Sequence, residues 1–343
     1  MNRAFKVVGG SLGVLATLVL VLLVFGLPVG RSLALLLQGS LTASDGLAPA
    51  LVRWSPLLLT SLGVIVAWKA GQFNIGGEGQ YVVGGLVGAL VARLLAGIPG
   101  QALNPIVLIG SALGGGAYAF LAGWLYVRRG VQIVISTILL NFIALQLLDY
   151  CVTGPLQEAA RKLPQTDALP PDAMLMRWNP QSDLHVGVFF GPVLAILITF
   201  LLYSTSFGLR LRVVGSNPRA ARANRVPVER TQLIAMAISG ALCGLAAGIE
   251  FTARTGKIGI GFSQNWGFLA IPVALIGGLS PIGAILAAFF FAALFAGGEN
   301  LERFTPQGSS IILIIQAIVV FGLLVSQSLQ KQRKTRPAPE ASS

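Results

Sequence analysis

Charged side chains are scarce in this sequence. Only 10% of the 343 residues are Asp, Glu, Lys or Arg, and 55% are hydrophobic, whereas an ordinary soluble domain has about 25% charged residues. So few charges cannot cover a soluble protein of this size, and the composition predicts a chain embedded in lipid. The 24 basic residues outnumber the 12 acids, but they stand in short blocks between apolar runs. This pattern favours basic cytoplasmic loops over nucleic-acid binding.

Residues that carry catalytic or metal chemistry are also rare. The cysteines, Cys151 and Cys243, lie in apolar stretches without a CxxC pair, which is typical of small buried side chains. The single histidine, His185, begins an apolar run, where we expect an interfacial role. The sequence contains no Gly-x-x-x-x-Gly-Lys-Ser/Thr phosphate loop, no Ser, His and Asp constellation and no paired carboxylates. We therefore predict no enzymatic activity, no metal site and no cofactor.

Long apolar runs dominate the chain, and a membrane-crossing helix needs about 20 such residues to span about 30 Å of hydrocarbon. Ten runs qualify: 7–29, 47–70, 79–97, 102–127, 132–152, 185–206, 231–253, 265–279, 281–298 and 309–328. The first resembles a secretory signal but is too long for one, so we expect it to be retained. The break at 277–281 leaves open whether the eighth and ninth runs cross fully or form re-entrant halves. The predicted fold is an all-α polytopic membrane protein with about ten transmembrane helices, some broken or re-entrant.

The positions of the basic residues predict the orientation, because short loops rich in Lys and Arg stay cytoplasmic. Segment 207–231 has six arginines and one acid, so it belongs inside. Counting spans outward places three further basic clusters, and therefore both termini, on the same side: Arg3 with Lys6, Arg128 with Arg129, and Lys331, Arg333, Lys334 and Arg336. Segment 153–184 then lies outside. We expect residues 1–330 to form one transmembrane domain and residues 331–343 to be a disordered cytoplasmic tail.

One stretch interrupts the apolar sequence with polar residues and glycine, GQFNIGGEGQ at 71–80. A carboxylate near the bilayer centre costs roughly 2.5–3.5 kcal/mol on insertion scales, so such a run must face protein or water. Glycine lets a helix break, and the backbone groups of a broken helix can bind a solute at membrane depth. The alternative is a tight, hydrated cytoplasmic turn between the second and third spans. The spacing does not choose between them.

The same stretch carries a resemblance to a known family. The matching motifs are FNIGGEGQ at 73–80, IVISTILLN at 133–141, GPL at 154–156, GSNP at 215–218 followed by Ala220 and Ala221, and GF at 267–268 with AIPVALIG at 270–277. They resemble permeases of the branched-chain amino acid and simple-sugar ABC importer superfamily, specifically its nucleoside-type subfamily. Two positions depart from that pattern: Gln132, where the family often has glutamate, and Gly278, where arginine is common. Both leave the choice of substrate open.

The resemblance implies a bacterial inner-membrane importer subunit that moves a nucleoside or simple sugar by alternating access. Its expected partners are a second homologous permease in a heterodimer, a cytoplasmic ATPase and an external solute-binding lipoprotein. In this family a short cytoplasmic helix transmits the motion of the ATPase. Here Asn217 suits a helix N-cap, Pro218 the first helical position and Pro227 the end, which predicts a helix over 218–226.

The arginines of that helix are the candidate contacts with the ATPase. Arg219, Arg222 and Arg225 recur every three residues, so we expect them on one broad face of the helix. The alternative is that these arginines only set the topology of the chain.

The direction of the spans predicts an internal symmetry. Two four-helix blocks, 47–152 and 231–328, run in opposite senses around the sixth span, as inverted repeats do. Each block has a Gly-rich polar break, 71–80 in the first and 254–266 together with 277–281 in the second, and a solute path between the blocks would be lined from both. The candidate pathway residues are Phe73, Asn74, Glu78 and Asn141. Glu250 lies one turn from Arg254, and we expect an internal ion pair there.

Two other functions remain open at this point. An ion-coupled secondary transporter also uses inverted blocks and broken helices, and in it Glu78, Glu250 or Asp149 would titrate or bind sodium. A channel or membrane scaffold has no positive feature in the sequence.

Overall fold

The computed structural model describes residues 19–304, apart from 21, 25, 27, 43–46 and 179–182, together with residues 314, 317, 318, 321 and 322. This part of the chain is helical, and its only β pairing is two isolated bridges. Most of the predicted spans 7–29 and 309–328, and the whole predicted tail 331–343, lie outside the described residues. The described residues divide into two compact units. One comprises residues 48–292, and the other combines residues before 48 with those from 293 on.

Eleven α-helices have their bounds within the described ranges. They are α1 (Val29–Leu37), α2 (Ala48–Lys69), α3 (Gly77–Leu94), α4 (Gly100–Arg129), α5 (Ile133–Thr153), α6 (Phe190–Ser204), α7 (Ser206–Ser216), α8 (Pro218–Ala223), α9 (Val228–Glu250), α10 (Trp266–Ile276) and α11 (Pro281–Phe304). Two π-helical turns, Gln38–Thr42 and Phe251–Thr255, follow α1 and α9, and a 3₁₀ turn, Val186–Phe189, precedes α6.

Six helical stretches among the described residues are long and apolar enough to cross a membrane. They are Ala48–Lys69, Gly100–Arg129, Ile133–Thr153, Val186–Ser204, Val228–Thr255 and Pro281–Phe304. The prediction of an all-helical, polytopic membrane protein is thereby confirmed. Helix α3 has 18 residues but includes Glu78, Gln80 and Arg93, which lower its apolar character.

The predicted eighth and ninth spans differ in kind. Helix α10 has 11 residues, which is about 16 Å at 1.5 Å per residue and too short to cross the hydrocarbon. Helix α11 has 24 residues and is long enough. The chain turns between them through Gly278 and Leu279, both with positive φ. The runs 265–279 and 281–298, for which full crossing and re-entrant halves were both open, are therefore a half-length helix followed by a full-length one.

Small residues bring α3, α4 and α9 into close contact in the unit of residues 48–292. A side chain at Gly240 would overlap the carbonyl of Gly115, and one at Gly244 would overlap the carbonyl of Ser111. Gly84 of α3 lies equally close to Gly244. Backbone approach of this kind is how helices associate in lipid, where apolar side chains gain little from leaving the hydrocarbon.

The long segment after α5 is held against the end of α9. Leu175 N donates to Thr252 O at 2.8 Å, Leu169 N donates to Gly256 O at 2.9 Å and Thr166 N donates to Ile258 O at 2.8 Å. The π-helical turn Phe251–Thr255 shifts the backbone pairing at this end of α9 and leaves the Thr252 carbonyl for Leu175. The predicted external segment is thus pinned to the polar break that follows α9.

Candidate substrate pathway and coupling surface

The break between α2 and α3 is buried in protein. Helix α2 ends at Lys69, and the chain turns at Gly71, whose φ is 74°. Gln72, Asn74, Glu78 and Gln80 are each only 1% exposed. A hydrated cytoplasmic turn would leave these side chains in water. The structure therefore favours a broken helix that is surrounded by protein over a hydrated turn.

Asn74 is the centre of the hydrogen bonds within the break. Its amide and that of Gln80 donate to each other, both at 3.0 Å. Asn74 Nδ2 also donates to Ser239 Oγ of α9 at 3.0 Å, and Asn74 Oδ1 accepts from Gly76 N at 2.8 Å. The side chain therefore ties the break to α9 and satisfies a backbone donor at the start of α3.

Asn141 holds the same break from α5. Its Oδ1 accepts from Gly79 N at 2.8 Å, and its Nδ2 donates to Ile75 O at 3.0 Å. One turn earlier, Thr137 Oγ1 accepts from Ile75 N at 3.3 Å. Backbone groups freed by a broken helix need such partners, because no water is available in the hydrocarbon.

Glu78 bridges the first break and the second. Ser263 Oγ donates to Glu78 Oε1, and Gly267 N donates to Glu78 Oε2 at 2.9 Å. Gly267 lies in the first turn of α10, whose own N-cap residue, Asn265, makes no side-chain capping bond. The carboxylate of α3 thus caps α10, where the helix dipole favours negative charge. A side chain at Gly267 would overlap the backbone of Gly77 and Glu78, so the starts of α3 and α10 touch.

Phe73 differs from the other three predicted pathway residues. Its side chain is 53% exposed and meets the Trp68 ring edge-on, with centroids 5.2 Å apart. Trp68 Nε1 donates to Asn74 O at 3.2 Å, and this hydrogen bond holds the indole ring that Phe73 contacts. The structure therefore gathers all four residues around one break and directs only Phe73 outward.

The predicted ion pair between Glu250 and Arg254 lies at the end of α9. Glu250 is 2% exposed, and its Oε1 is 2.5 Å from Arg254 Nε. The residues are four apart, so they share one face of the helix and the π-helical turn. The expected internal ion pair is confirmed.

The predicted coupling segment forms a short capped helix. Asn217 Oδ1 accepts from Arg219 N at 3.1 Å and from Ala220 N at 3.0 Å, and Pro218 is the first residue of α8. Ala221 packs on Val214 and Val228, which fixes the inner side of the helix. Arg219 and Arg222 are exposed.

The expectation that Arg225 extends this face is wrong. Helix α8 ends at Ala223, and Arg225 has a φ of 57°. Arg225 N donates to Arg222 O and Val226 N donates to Ala221 O, both at 3.0 Å, which is the Schellman pattern of a helix end. This helix end could not be predicted from the sequence, because glycine usually occupies the left-handed position and here an arginine does. Val226 can then pack on the cluster around Ala221.

A cavity of about 570 Å³ lies beside α8. The end of α4, the segment around α8 and the start of α9 line it, with Tyr126, Val127, Gly130, Ser216, Asn217, Pro218, Arg219, Arg222, Val228, Glu229 and Gln232. Its mixed polar lining, which includes two arginines, suits a polar protein segment better than lipid.

Comparison with known proteins places these features in a family. The family model described as branched-chain amino acid transport system permease component matches residues 46–326. The chain belongs to this family. It is the permease subunit of an ABC importer, which works with an ATPase and a solute-binding protein and does not itself catalyse hydrolysis. Membership decides against the ion-coupled transporter and the scaffold.

Three relatives extend the match over most of the permease. The glucose ABC transporter permease protein TsgB13 of Haloferax volcanii is 34% identical over 86% of this chain and 80% of its own length. The guanosine ABC transporter permease protein NupP of Bacillus subtilis is 30% identical over 92% of this chain and 91% of its own. NupQ of the same species, also named a guanosine permease, is 28% identical over 70% of this chain and 77% of its own.

Some residues of the permease site could not be found by sequence reasoning. Ser239, Ser263 and Gly267 complete the bonds of Asn74 and Glu78, and each is far from its partner in the chain. The only signal was the polar, Gly-rich region 254–266, which indicated a second break but not which of its residues the first break meets.

Proposed function

We propose that this permease imports a nucleoside or a hexose across a bacterial inner membrane, as half of a heterodimeric passage with both termini cytoplasmic. The sequence match to permeases named for glucose and for guanosine carries the proposal. NupP and NupQ supply the precedent for two different guanosine permeases in one organism, which supports a heterodimer. An external solute-binding lipoprotein would deliver the solute, and ten spans in two inverted blocks would move it.

Contact between the two breaks supports the inverted blocks. In each case a long apolar helix, α2 or α9, ends in a Gly-rich break and a second helix begins within it. The two second helices, α3 and α10, meet where Gly77 approaches Gly267. Inverted repeats bring equivalent half-helix ends together near the membrane centre.

Phe73, Asn74, Glu78 and Asn141 lie along the solute passage in this proposal, with different tasks. Phe73 presents an exposed ring that can stack on a sugar or base face. The polar groups of Asn74, Glu78 and Asn141 are bonded to protein, so these residues hold the walls of the passage rather than bind the solute themselves. The binding protein would then supply most of the selectivity.

The exposed side of the segment from Asn217 to Arg225 is the proposed contact with the ATPase. Asn217 and Pro218 fix the start of α8, Arg219 and Arg222 project from it, and Arg225 follows its end. Cations on a rigid, capped helix can pair with acids of a partner and transmit its movement.

Uptake measurements test the solute class. Cells that express the complete transporter, with and without this subunit, are assayed with labelled guanosine and labelled glucose. We expect uptake of one of them to depend on the subunit. Loss of neither activity on deletion would contradict the proposed solute class.

Replacing Arg219 and Arg222 together with Ala tests the coupling surface. Since both side chains are exposed, the permease should fold, while uptake falls at least about tenfold and the ATPase of the purified complex continues to hydrolyse ATP. The exposed Arg303 at the end of α11, replaced with Ala, is the matched control and should retain uptake. Unchanged uptake in the double variant would leave these arginines only a topological role.

A further inference from the structure

Helix α5 has an outer face that does not suit lipid. Phe142, Gln146, Asp149 and Tyr150 are all exposed, with 61% of Phe142 and 68% of Tyr150 accessible. Their spacing of three, four, seven and eight residues places them on one side of the helix. The face combines two aromatic rings with an amide and a carboxylate, and the exposed Ile143 lies at its edge.

The amide lies well inside the membrane-crossing helix. Gln146 is seven residues before the end of α5 at Thr153, which is about 10 Å along the axis. Asp149 is four residues before that end, about 6 Å along it. A carboxylate that faces hydrocarbon is costly, and intramembrane acids almost always face protein or a water-filled cavity.

No other long helix in the described ranges shows this pattern. On α3, α4, α9 and α11, the exposed charged or amide side chains lie within the first or last turn: Arg93, Gln101, Arg128, Arg129, Glu229, Arg230 and Arg303. The exposed face of α6 carries Val193, Ile196, Leu197 and Phe200, as lipid requires. The outer half of α5 therefore faces something polar.

The opposite side of α5 is fixed to the broken segment. Asn141, one residue before Phe142, holds Ile75 and Gly79, and Thr137 accepts from Ile75 N. The exposed face is consequently held in a defined position next to the polar break. Rigid support from packed secondary structure is what a binding face requires.

We infer that Phe142, Gln146, Asp149 and Tyr150 form a solute-binding wall of the aqueous passage, in its outer half. Rings that stack on an apolar sugar or base face, with an amide and a carboxylate that bond hydroxyl or amine groups, suit a polyhydroxylated ring compound. The identity of that compound as nucleoside or hexose rests on the proposed function. The wall itself rests on the exposure of α5.

Cysteine labelling tests whether this face is wet. Gln146→Cys and Asp149→Cys are made separately in a chain whose Cys151 and Cys243 are replaced with Ala, and the complete transporter is treated in membranes with a membrane-impermeant thiol reagent. We expect both sites to react at least about tenfold faster than Leu113→Cys of α4 and Ile196→Cys of α6, which are exposed apolar positions. Reaction as slow as at those controls, whether lipid or a partner permease covers the face, would overturn the inference.

Protection and kinetics test whether the wall binds the solute. Addition of guanosine or glucose, whichever the wild type imports, should slow labelling at Gln146→Cys. Gln146→Ala and Asp149→Asn should raise KM for uptake on the order of tenfold, the effect of one lost hydrogen bond to a charged or buried group. Leu147→Ala, at an exposed apolar position to the side of this face, should leave KM unchanged.

The outcomes separate the two proposals. A wild type that imports neither compound refutes the proposed solute class, yet the labelling rates still decide whether α5 faces water. A wild type that imports one of them, with labelling that the solute does not slow and an unchanged KM in both variants, refutes the binding wall alone.

Discussion

The break at 71–80 and the coupling segment at 217–226 use the same chemistry in opposite environments. In each, an asparagine side chain accepts from backbone donors at the start of a helix: Asn141 from Gly79 N and Asn217 from Arg219 N. Asn141 is 1% exposed, whereas Asn217 is exposed. Water can replace the exposed Asn217 side chain as a hydrogen-bond partner, but it cannot reach the site of Asn141. The same hydrogen bond therefore contributes more to the free energy of unfolding at Asn141.

The break and the coupling segment should therefore differ in how well they tolerate substitution. The buried break can tolerate little change, because the side chains of Asn74, Glu78 and Gln80 are partnered by protein and the starts of α3 and α10 touch. The coupling segment can lose a side chain and stay folded. Defects in the first should therefore appear as lost protein, and defects in the second as lost coupling between ATP hydrolysis and uptake.

Gly267→Ala should have the largest effect. Its new methyl group would overlap the backbone of Glu78 and Gly77, which no side-chain movement relieves, so we expect little folded protein in detergent extracts analysed by size-exclusion chromatography. Gly97→Ala is the control, because nothing lies within 4 Å of the position that its Cβ would take. Normal yields of the Gly267 variant would mean that α3 and α10 do not meet as described.

Glu78→Ala should come next. It leaves the donors of Ser263 and Gly267 buried without an acceptor, and we expect a loss of about 3 kcal/mol in the free energy of unfolding. Glu78→Gln keeps one acceptor oxygen and should lose about 1 kcal/mol while retaining uptake. Thermal unfolding in detergent and uptake assays measure both, and Glu229→Ala at an exposed site is the control for the unfolding measurement alone. Loss of uptake in a stable Glu78→Gln permease would instead indicate contact with the solute.

The asparagine pair gives the smallest and most direct comparison. Asn141→Ala removes two bonds and leaves Gly79 N and Ile75 O unsatisfied, which should reduce the free energy of unfolding by about 1–3 kcal/mol. Asn217→Ala removes an exposed cap and should reduce it by about 1 kcal/mol or less. Denaturation of the two variants side by side measures the difference. Equal losses would show that burial does not set the value of these caps.

Local features of the site were readable from sequence. The Asn217 cap, Pro218 at the first helical position and the Glu250–Arg254 pair all depend on residues within one turn of each other, where the spacing fixes the geometry. Arg225 was placed wrongly because an arginine takes a conformation usually left to glycine. Packing of Val226 on the cluster around Ala221, and not local preference, determines that end.

Composition and run length were enough to predict a polytopic helical membrane protein with two polar breaks, because the length and polarity of each run set its transfer free energy. The contact between the two breaks could be read only from the folded chain. Glu78 and Gly267 are 189 residues apart, and no local pattern encodes which buried donor meets which acceptor. The polar outer face of α5 also becomes visible only in the fold, since exposure depends on which helices pack on which sides. The same holds for the half-length of α10, because the turn that ends it is part of the folded chain.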